Sequence, residues 1–264
     1  MPFSSPAAGG LGAITYGPAD RVASLCVLVD VTEGVEELFS LALLNGGIGT
    51  RVAAGRPKQF IVVNGIPILV YSLVAADSVD SISQIVLNYP PGWRQDVEKI
   101  VTDYAIKTPI TYVEAGSSRH ESVGRMLPFV DNEHVIIHES ARPLVTAADF
   151  QRIIRHEHPD VSFMLEIPFT VAPVDPATGR VTGSLDRDTL RNVPLPQKFA
   201  KSTLVTAHAY ASQMGVAFTE DATLCAVAGF DVRFIDGSDR NFKVTTRVDI
   251  QLAGYLLGNE ANDE

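Results

Sequence analysis

Six short apolar runs, at residues 38–44, 82–87, 110–113, 134–137, 161–167 and 232–235, alternate along this chain with stretches whose apolar residues recur at helical spacing. Strands that are apolar at successive positions are buried on both faces, and strand-helix alternation is the pattern of parallel strands joined by helical crossovers. An α/β fold is therefore predicted, with a mostly parallel sheet and helices on both sides. In L-V-T-A-A-D-F-Q-R-I-I-R, Thr146 caps a helix, Asp149 completes a capping box, and Phe150, Ile153 and Ile154 form one apolar face, with Pro159 as the stop. Thr245 or Thr246 caps a last helix whose Val248, Leu252, Ala253 and Leu256 are expected to face the core. Residues 168–192 break the rhythm, being rich in Pro, Thr and Asp around a D-P-A-T-G-R turn, and read as a hairpin arm. Residues 1–20 read as a loose Pro/Gly/Ala/Ser arm within an extension of about 35 residues, followed by one domain over 36–260.

Composition narrows the function. With 264 residues, 46% hydrophobic and 20% charged, the chain can bury a full core, which excludes a disordered tail protein. A net charge of −10 argues against coating nucleic acid, so any nucleotide should be small and held in one pocket. Cys26 and Cys225 sit singly in apolar stretches and read as buried thiols of a reducing cytoplasm. No apolar run approaches the ~18 residues of a membrane-spanning helix. The start, M-P-F-S-S-P-A-A-G-G, lacks the cationic segment of a signal peptide.

The most informative stretch runs from Leu41 to Phe60. An apolar strand ends at Asn45 and enters Gly46, Gly47 and Gly49, followed by Arg51 and Lys58. Glycines let backbone amides approach a ligand closely, and amides with two cations suit the charge of a triphosphate. An ordinary glycine-rich strand-to-helix turn with surface cations fits the spacing equally well. Two familiar glycine motifs do not: a dinucleotide fingerprint would need glycine where Val52 stands, and a Walker A loop would need Gly-Lys-Ser/Thr.

These residues, taken with five later motifs in order, resemble the cytidylyltransferases that make CDP-alcohols from sugar-alcohol phosphates. The motifs are G-G-I-G-T-R with P-K-Q-F (46–60), G-S-S-R-H-E-S-V (116–123), H-E-S-A-R-P (138–143), a D-R to P-Q segment (186–197), T-E-D-A (219–222) and N-F-K-V-T-T (241–246). The resemblance implies a Rossmann-like sheet of the nucleotide-diphospho-sugar transferase type and transfer of CMP from CTP to a polyol phosphate. It further implies that Arg51, Lys58 and Lys243 neutralise the reacting phosphorus, and that Asn45, Gly46, Gly47, Gly49, Gly116, Ser122 and Ser140 form the nucleotide site. Thr170 and Arg187 look like the grip on the acceptor phosphate, Arg187 arriving from the second subunit of a homodimer whose arms cross. Glu139 matches the carboxylate that assists Mg²⁺, although the family's usual residue there is Asp. Phe169, Ala172 and Leu195 also depart from the usual pattern, so the CTP half matches better than the acceptor half.

The family's two best-known branches act on 2-C-methyl-D-erythritol 4-phosphate and on ribitol 5-phosphate. P-K-Q-F, P-I-L at 67–69, Ser140, Trp93 ahead of D-V-E-K-I-V-T-D-Y, and the V-T-T ending lean toward the ribitol branch. A nicotinamide oxidoreductase and a CTP-binding scaffold without acceptor turnover are the rival readings, the second motivated by Phe169, Ala172 and Leu195. His138 is read as positioning Arg142 rather than as an acid or base, because an attacking phosphate oxygen is already ionised. His156 and His158 are read as favouring a helix C-terminus. Glu220 and Asp221 are read as serving the first turn of a helix capped by Thr219. No C-x-x-C or H-E-x-x-H spacing exists, so zinc is not expected.

Overall fold

The computed structural model describes residues 37–47 and 57–260. The proposed extension and Cys26 lie outside them. In chain order the elements are β1 (Phe39–Leu44), β2 (Val62–Val63), β3 (Ile66–Pro67), α1 (Ile68–Asp77), β4 (Ile82–Tyr89), α2 (Arg94–Asp103), β5 (Ile110–Glu114), α3 (Arg119–Met126) and β6 (His134–Glu139). They continue as α4 (Ala147–Ile154), β7 (Val161–Met164), β8 (Val174–Asp175), β9 (Arg180–Val181), β10 (Gln197–Ala200), α5 (Lys201–Met214), α6 (Asp221–Val227), β11 (Arg233–Asp236) and α7 (Arg247–Glu260). The main sheet has the order β11-β7-β10-β6-β1-β4-β5. Its pairs are parallel except at β10, which runs antiparallel to both neighbours.

β1 lies at the middle of the molecule, with Leu41 in register with Ile85 on one side and Ile136 on the other. All six of its residues are buried. Because successive side chains point to opposite faces, Ala42 and Leu44 join a core with α3, α5 and α6, while Phe39, Leu41 and Leu43 join one with α1, α2 and α4. This is the three-layer α/β arrangement that the alternation implies.

Four local features differ from, or add to, the sequence reading. β10 carries Gln197, Lys198 and Phe199, too polar to read as a strand, yet all three are buried. Lys198 Nζ donates to the carbonyls of Ile154 (3.3 Å) and His156 (2.5 Å), which satisfies the buried ammonium and the end of α4 together. A short hairpin, β2–β3, turns at Asn64 and Gly65 with φ of 48° and 82°, the left-handed pair that an Asn-Gly hairpin uses. α4 has the Thr146–Asp149 capping box but ends at Ile154, ahead of Pro159. α7 meets the expectation in part: Ala253 is fully buried and Leu256 packs beside it, with Ile250 and Leu257, against the β2–β3 hairpin, whereas Val248 and Leu252 are 68% and 46% exposed. Its residues are apolar around most of the circumference, so spacing alone did not select the face. Between β7 and β10, β8 pairs with β9 as a hairpin, and Asp175 accepts from the Ala177 amide (2.9 Å) and the Thr178 hydroxyl (2.6 Å) at its tip. Leu165 and Asn192 exchange two 2.9 Å hydrogen bonds at its base.

Candidate active site

The chain passes from β1 to β4 and β5 on one side, then returns to β6 on the other. Reversal of strand order leaves a crevice at the carboxyl ends of the central strands, where ligands of such sheets bind. A cleft of about 690 Å³ opens there, walled by the residues that follow β1, β4, β5 and β6 and by Lys58 and Lys243. It contains Asn45, Gly46, Gly47, Gly116, Ser122, Glu139 and Ser140 of the sequence-derived set. Gly49 and Arg51 lie outside the described residues. Thr170 and Arg187 are exposed on the arm and do not line the cleft of a single chain.

The glycine turn is held by side chains from three other segments. Asn45 donates its backbone N–H to Asn88 Oδ1, accepts from Gln59 Nε2 at its carbonyl, and accepts from the Ser140 hydroxyl (2.6 Å) at its side-chain oxygen. A Cβ at Gly46 would stand 2.3 Å from the Ala115 Cβ, so here glycine is required by the approach of β1 to the end of β5. Opposite, the Gly116 amide donates to Ser122 Oγ (3.0 Å), which itself donates to the Ser118 carbonyl (2.8 Å). Ser118 caps α3 by accepting from the Glu121 amide (3.0 Å). Ser122 thus shapes the loop, with its hydroxyl already engaged.

Charge is concentrated on Glu139. Burial alone would raise its pKa, but Lys243 at 2.6 Å and Arg119 at 3.3 Å, with Arg142 nearby, hold the carboxyl down at about 2. Arg119 also meets the fully buried Asp221 at 2.6 Å, and together the two carboxylates keep the guanidinium charged despite its burial. The segment bearing Lys243 is fixed on both sides: Asn241 Nδ2 donates to the Leu195 carbonyl (2.8 Å), Arg142 Nη1 to the Asn241 carbonyl (2.8 Å), and Val244 N to Ala141 O (2.8 Å). Lys58 Nζ reaches the Val244 carbonyl at 3.4 Å. His138 is wholly buried beside the Arg142 carbonyl (3.4 Å), and burial pushes its pKa down to about 3, so it stays neutral.

Sequence reasoning missed Arg119, Asn88 and Gln59. Arg119 and Gln59 stood within quoted motifs, and Asn88 was a polar residue at the end of an apolar run. Glu220, not Thr219, caps α6, accepting from Ala222 N (3.0 Å) and Thr223 N (2.9 Å), because the longer carboxylate reaches both amides. His158 accepts from the Asp160 amide or donates to its carbonyl within its own turn, and no group of three or more metal-binding side chains occurs among the described residues. No helix among them is long and apolar enough to cross a membrane.

Comparison with known proteins agrees with this geometry. The family described as "IspD: 2-C-methyl-D-erythritol 4-phosphate cytidylyltransferase" matches residues 40–259. The chain is 30% identical to the 2-C-methyl-D-erythritol 4-phosphate cytidylyltransferase of Bacillus cytotoxicus over 83% of its own length and 98% of that protein. It is 33% identical to that of Synechococcus elongatus over 80% and 92%. Among solved structures, 4-diphosphocytidyl-2C-methyl-D-erythritol synthase from Anaerococcus prevotii superposes with a TM-score of 0.74 at 23% identity, covering 85% of this chain and 97% of that one. The Thermus thermophilus 2-C-methyl-D-erythritol 4-phosphate cytidylyltransferase superposes with a TM-score of 0.67 at 27% identity, over 83% and 98%. With a sheet, a cleft and a family match that span the same residues, this chain belongs to the 2-C-methyl-D-erythritol 4-phosphate cytidylyltransferase family.

Proposed function

We propose that the chain transfers CMP from CTP to a polyol phosphate, forming a CDP-alcohol and pyrophosphate. The observation that carries this reading is that Lys58, Lys243 and the ionised Glu139 line one cleft with the glycine turn. An oxygen of the acceptor phosphate attacks the α-phosphorus, the bond to the β-phosphate oxygen breaks in line, and pyrophosphate leaves with the electron pair. Lys58, Lys243 and Arg51 balance the charge that grows on the phosphoryl oxygens, and alignment of the two substrates supplies much of the rest. No general base is needed, in keeping with a neutral His138. The nucleotide site comprises Asn45, Gly46, Gly47, Gly49, Gly116, Ser122 and Ser140, with the base read by the loop from Gly116 to Ser122.

Mg²⁺ takes oxygen donors and is bound through one or two carboxylates together with substrate phosphates. Glu139 is an ionised carboxylate at the cleft wall, so the donor chemistry fits a metal carried in on the triphosphate rather than a preformed cage. Glu139 would hold it, and when bound it would offset phosphate charge.

For the acceptor, the names of the relatives support 2-C-methyl-D-erythritol 4-phosphate, while Phe60 and Ser140 within their motifs favour ribitol 5-phosphate. Thr170 and Arg187 take the acceptor phosphate, with Arg187 coming from a second copy in a homodimer. Residues 1–35 precede the catalytic domain at 36–260. Cys225, free among the described residues and with its thiol pushed up by burial, is in keeping with a reducing cytoplasm. The test is pyrophosphate release with CTP and Mg²⁺ against a panel holding both acceptors: release with one or both supports the reading. Silence with every polyol phosphate, alongside tight CTP binding, would favour the scaffold.

A further inference from the structure

Asn88 sits at the end of β4, 1% exposed, with no role in the reaction as drawn above. Its Oδ1 accepts the backbone N–H of Asn45, the residue that opens the glycine turn. From the other side, Gln59 Nε2 donates to the carbonyl of the same Asn45. Gln59 is also buried, and it follows Lys58 in a 3₁₀ turn closed by Phe60 N to Pro57 O (3.1 Å) and Ile61 N to Lys58 O (3.0 Å). Both backbone polar groups of one residue are therefore pinned by amide side chains, one rooted in the sheet and the other next to Lys58.

We propose that Asn88 is a positioning residue: although it borders the cleft, it acts through Asn45 and Gln59 to set where the glycine turn and Lys58 stand relative to the strand ends. The physical basis is that a buried N–H left without an acceptor has given up its hydrogen bond to water for nothing, so the turn moves until it finds one. Asn45 is the branch point, since its own side-chain oxygen is held by Ser140 at the end of β6 (2.6 Å). The ends of β1, β4 and β6 and the Lys58 turn are tied at that single residue. Because catalytic groups must be held within a fraction of an ångström, a loosened turn should be read out mainly in turnover.

This inference rests on the phosphoryl-transfer reading only for its kinetic arm. Asn88→Leu, close in size but with no acceptor, is compared with wild type in amide hydrogen exchange of the free protein. Faster exchange at residues 45–47 and 58–60, with β6 unchanged, is expected; unchanged exchange in both segments would overturn the role even if the protein never turns over CTP. In kinetics, Asn88→Leu should lower kcat about tenfold or more with the wild-type Lys58, and by less than about twofold in a Lys58→Ala background, because two changes acting through one group are not additive. Equal losses in both backgrounds would mean a merely structural residue and would overturn the proposal. If wild type shows no activity with CTP, the functional reading fails while the exchange result still decides the positioning role.

Discussion

Glu139 and His138 are neighbours on β6 that point to opposite faces of the sheet, and burial acts on them in opposite ways. Glu139 keeps its charge because cations surround it, whereas His138 loses its charge because burial and the nearby Arg142 guanidinium outweigh the Arg142 carbonyl and the Glu139 carboxylate. Both folded-state pKa values lie below the ordinary ones, 6.5 falling to about 3 for His138 and 4.5 to about 2 for Glu139. The unfolded chain therefore binds more protons than the folded one in these windows, and stability is full above them and lost as pH falls. Between pH 6.5 and 4.5 His138 contributes and Glu139 does not yet. His138→Gln should flatten the dependence of unfolding free energy on pH in that interval by about one proton, measured by urea denaturation; an unchanged slope would contradict the burial account. Gly46 supplies a second check at this scale. Gly46→Ala sets two Cβ atoms 2.3 Å apart, and should cost about 1–3 kcal/mol as overpacking does. Adding Ala115→Gly should recover most of that loss, whereas no recovery would place the strain elsewhere.

At the scale of elements, the central parallel strands β1, β4 and β6 were legible because burial on both faces writes itself as continuous apolar runs, and Thr146 with Asp149 announced α4 through backbone chemistry alone. What was not legible depends on tertiary partners. β10 is a strand because Lys198 finds the carbonyls ending α4 and Gln197 reaches Ser162 (3.1 Å) and Glu220 across its neighbours, none of which a local pattern displays. The Asn64–Gly65 turn was visible in principle, yet its flanking strands are two residues each. Arg119 escaped notice because its significance lies in Asp221, about a hundred residues further on. The orientation of α7 gives an expected outcome: Leu252→Ala should change stability by less than ~0.5 kcal/mol, as exposed positions do, while Ala253→Leu should destabilise by about 1–3 kcal/mol. A large drop in denaturant midpoint for Leu252→Ala would put Leu252 back on the core side, as expected from sequence.

For the whole molecule, the arm raises the question of completeness. Phe169, Val174, Val181 and Leu185 on it are exposed apolar side chains, and Thr170 and Arg187 are exposed beside them, away from the cleft lining of their own chain. If a second copy receives this arm, Arg187→Ala should raise the acceptor KM by at least about tenfold while the KM for CTP moves little, as expected for loss of charge-assisted bonds to one phosphate. Mixed Lys58→Ala and Arg187→Ala subunits should regain activity in one site of each heterodimer. Full activity from a species of one-chain mass in light scattering would contradict the shared site.

The central claim is that this cleft moves CMP from CTP onto a polyol phosphate with Lys58 balancing the developing charge. Its most direct test is the quantity of CDP-alcohol, identified by mass, formed from CTP, Mg²⁺ and each acceptor by wild type and by Lys58→Ala of equal thermal stability. Wild type should form one CDP-alcohol per pyrophosphate released, and Lys58→Ala should lower kcat/KM by ~10²-fold or more, the loss of one transition-state charge partner. No CDP-alcohol from any acceptor, or near-normal formation by well-folded Lys58→Ala, would contradict it.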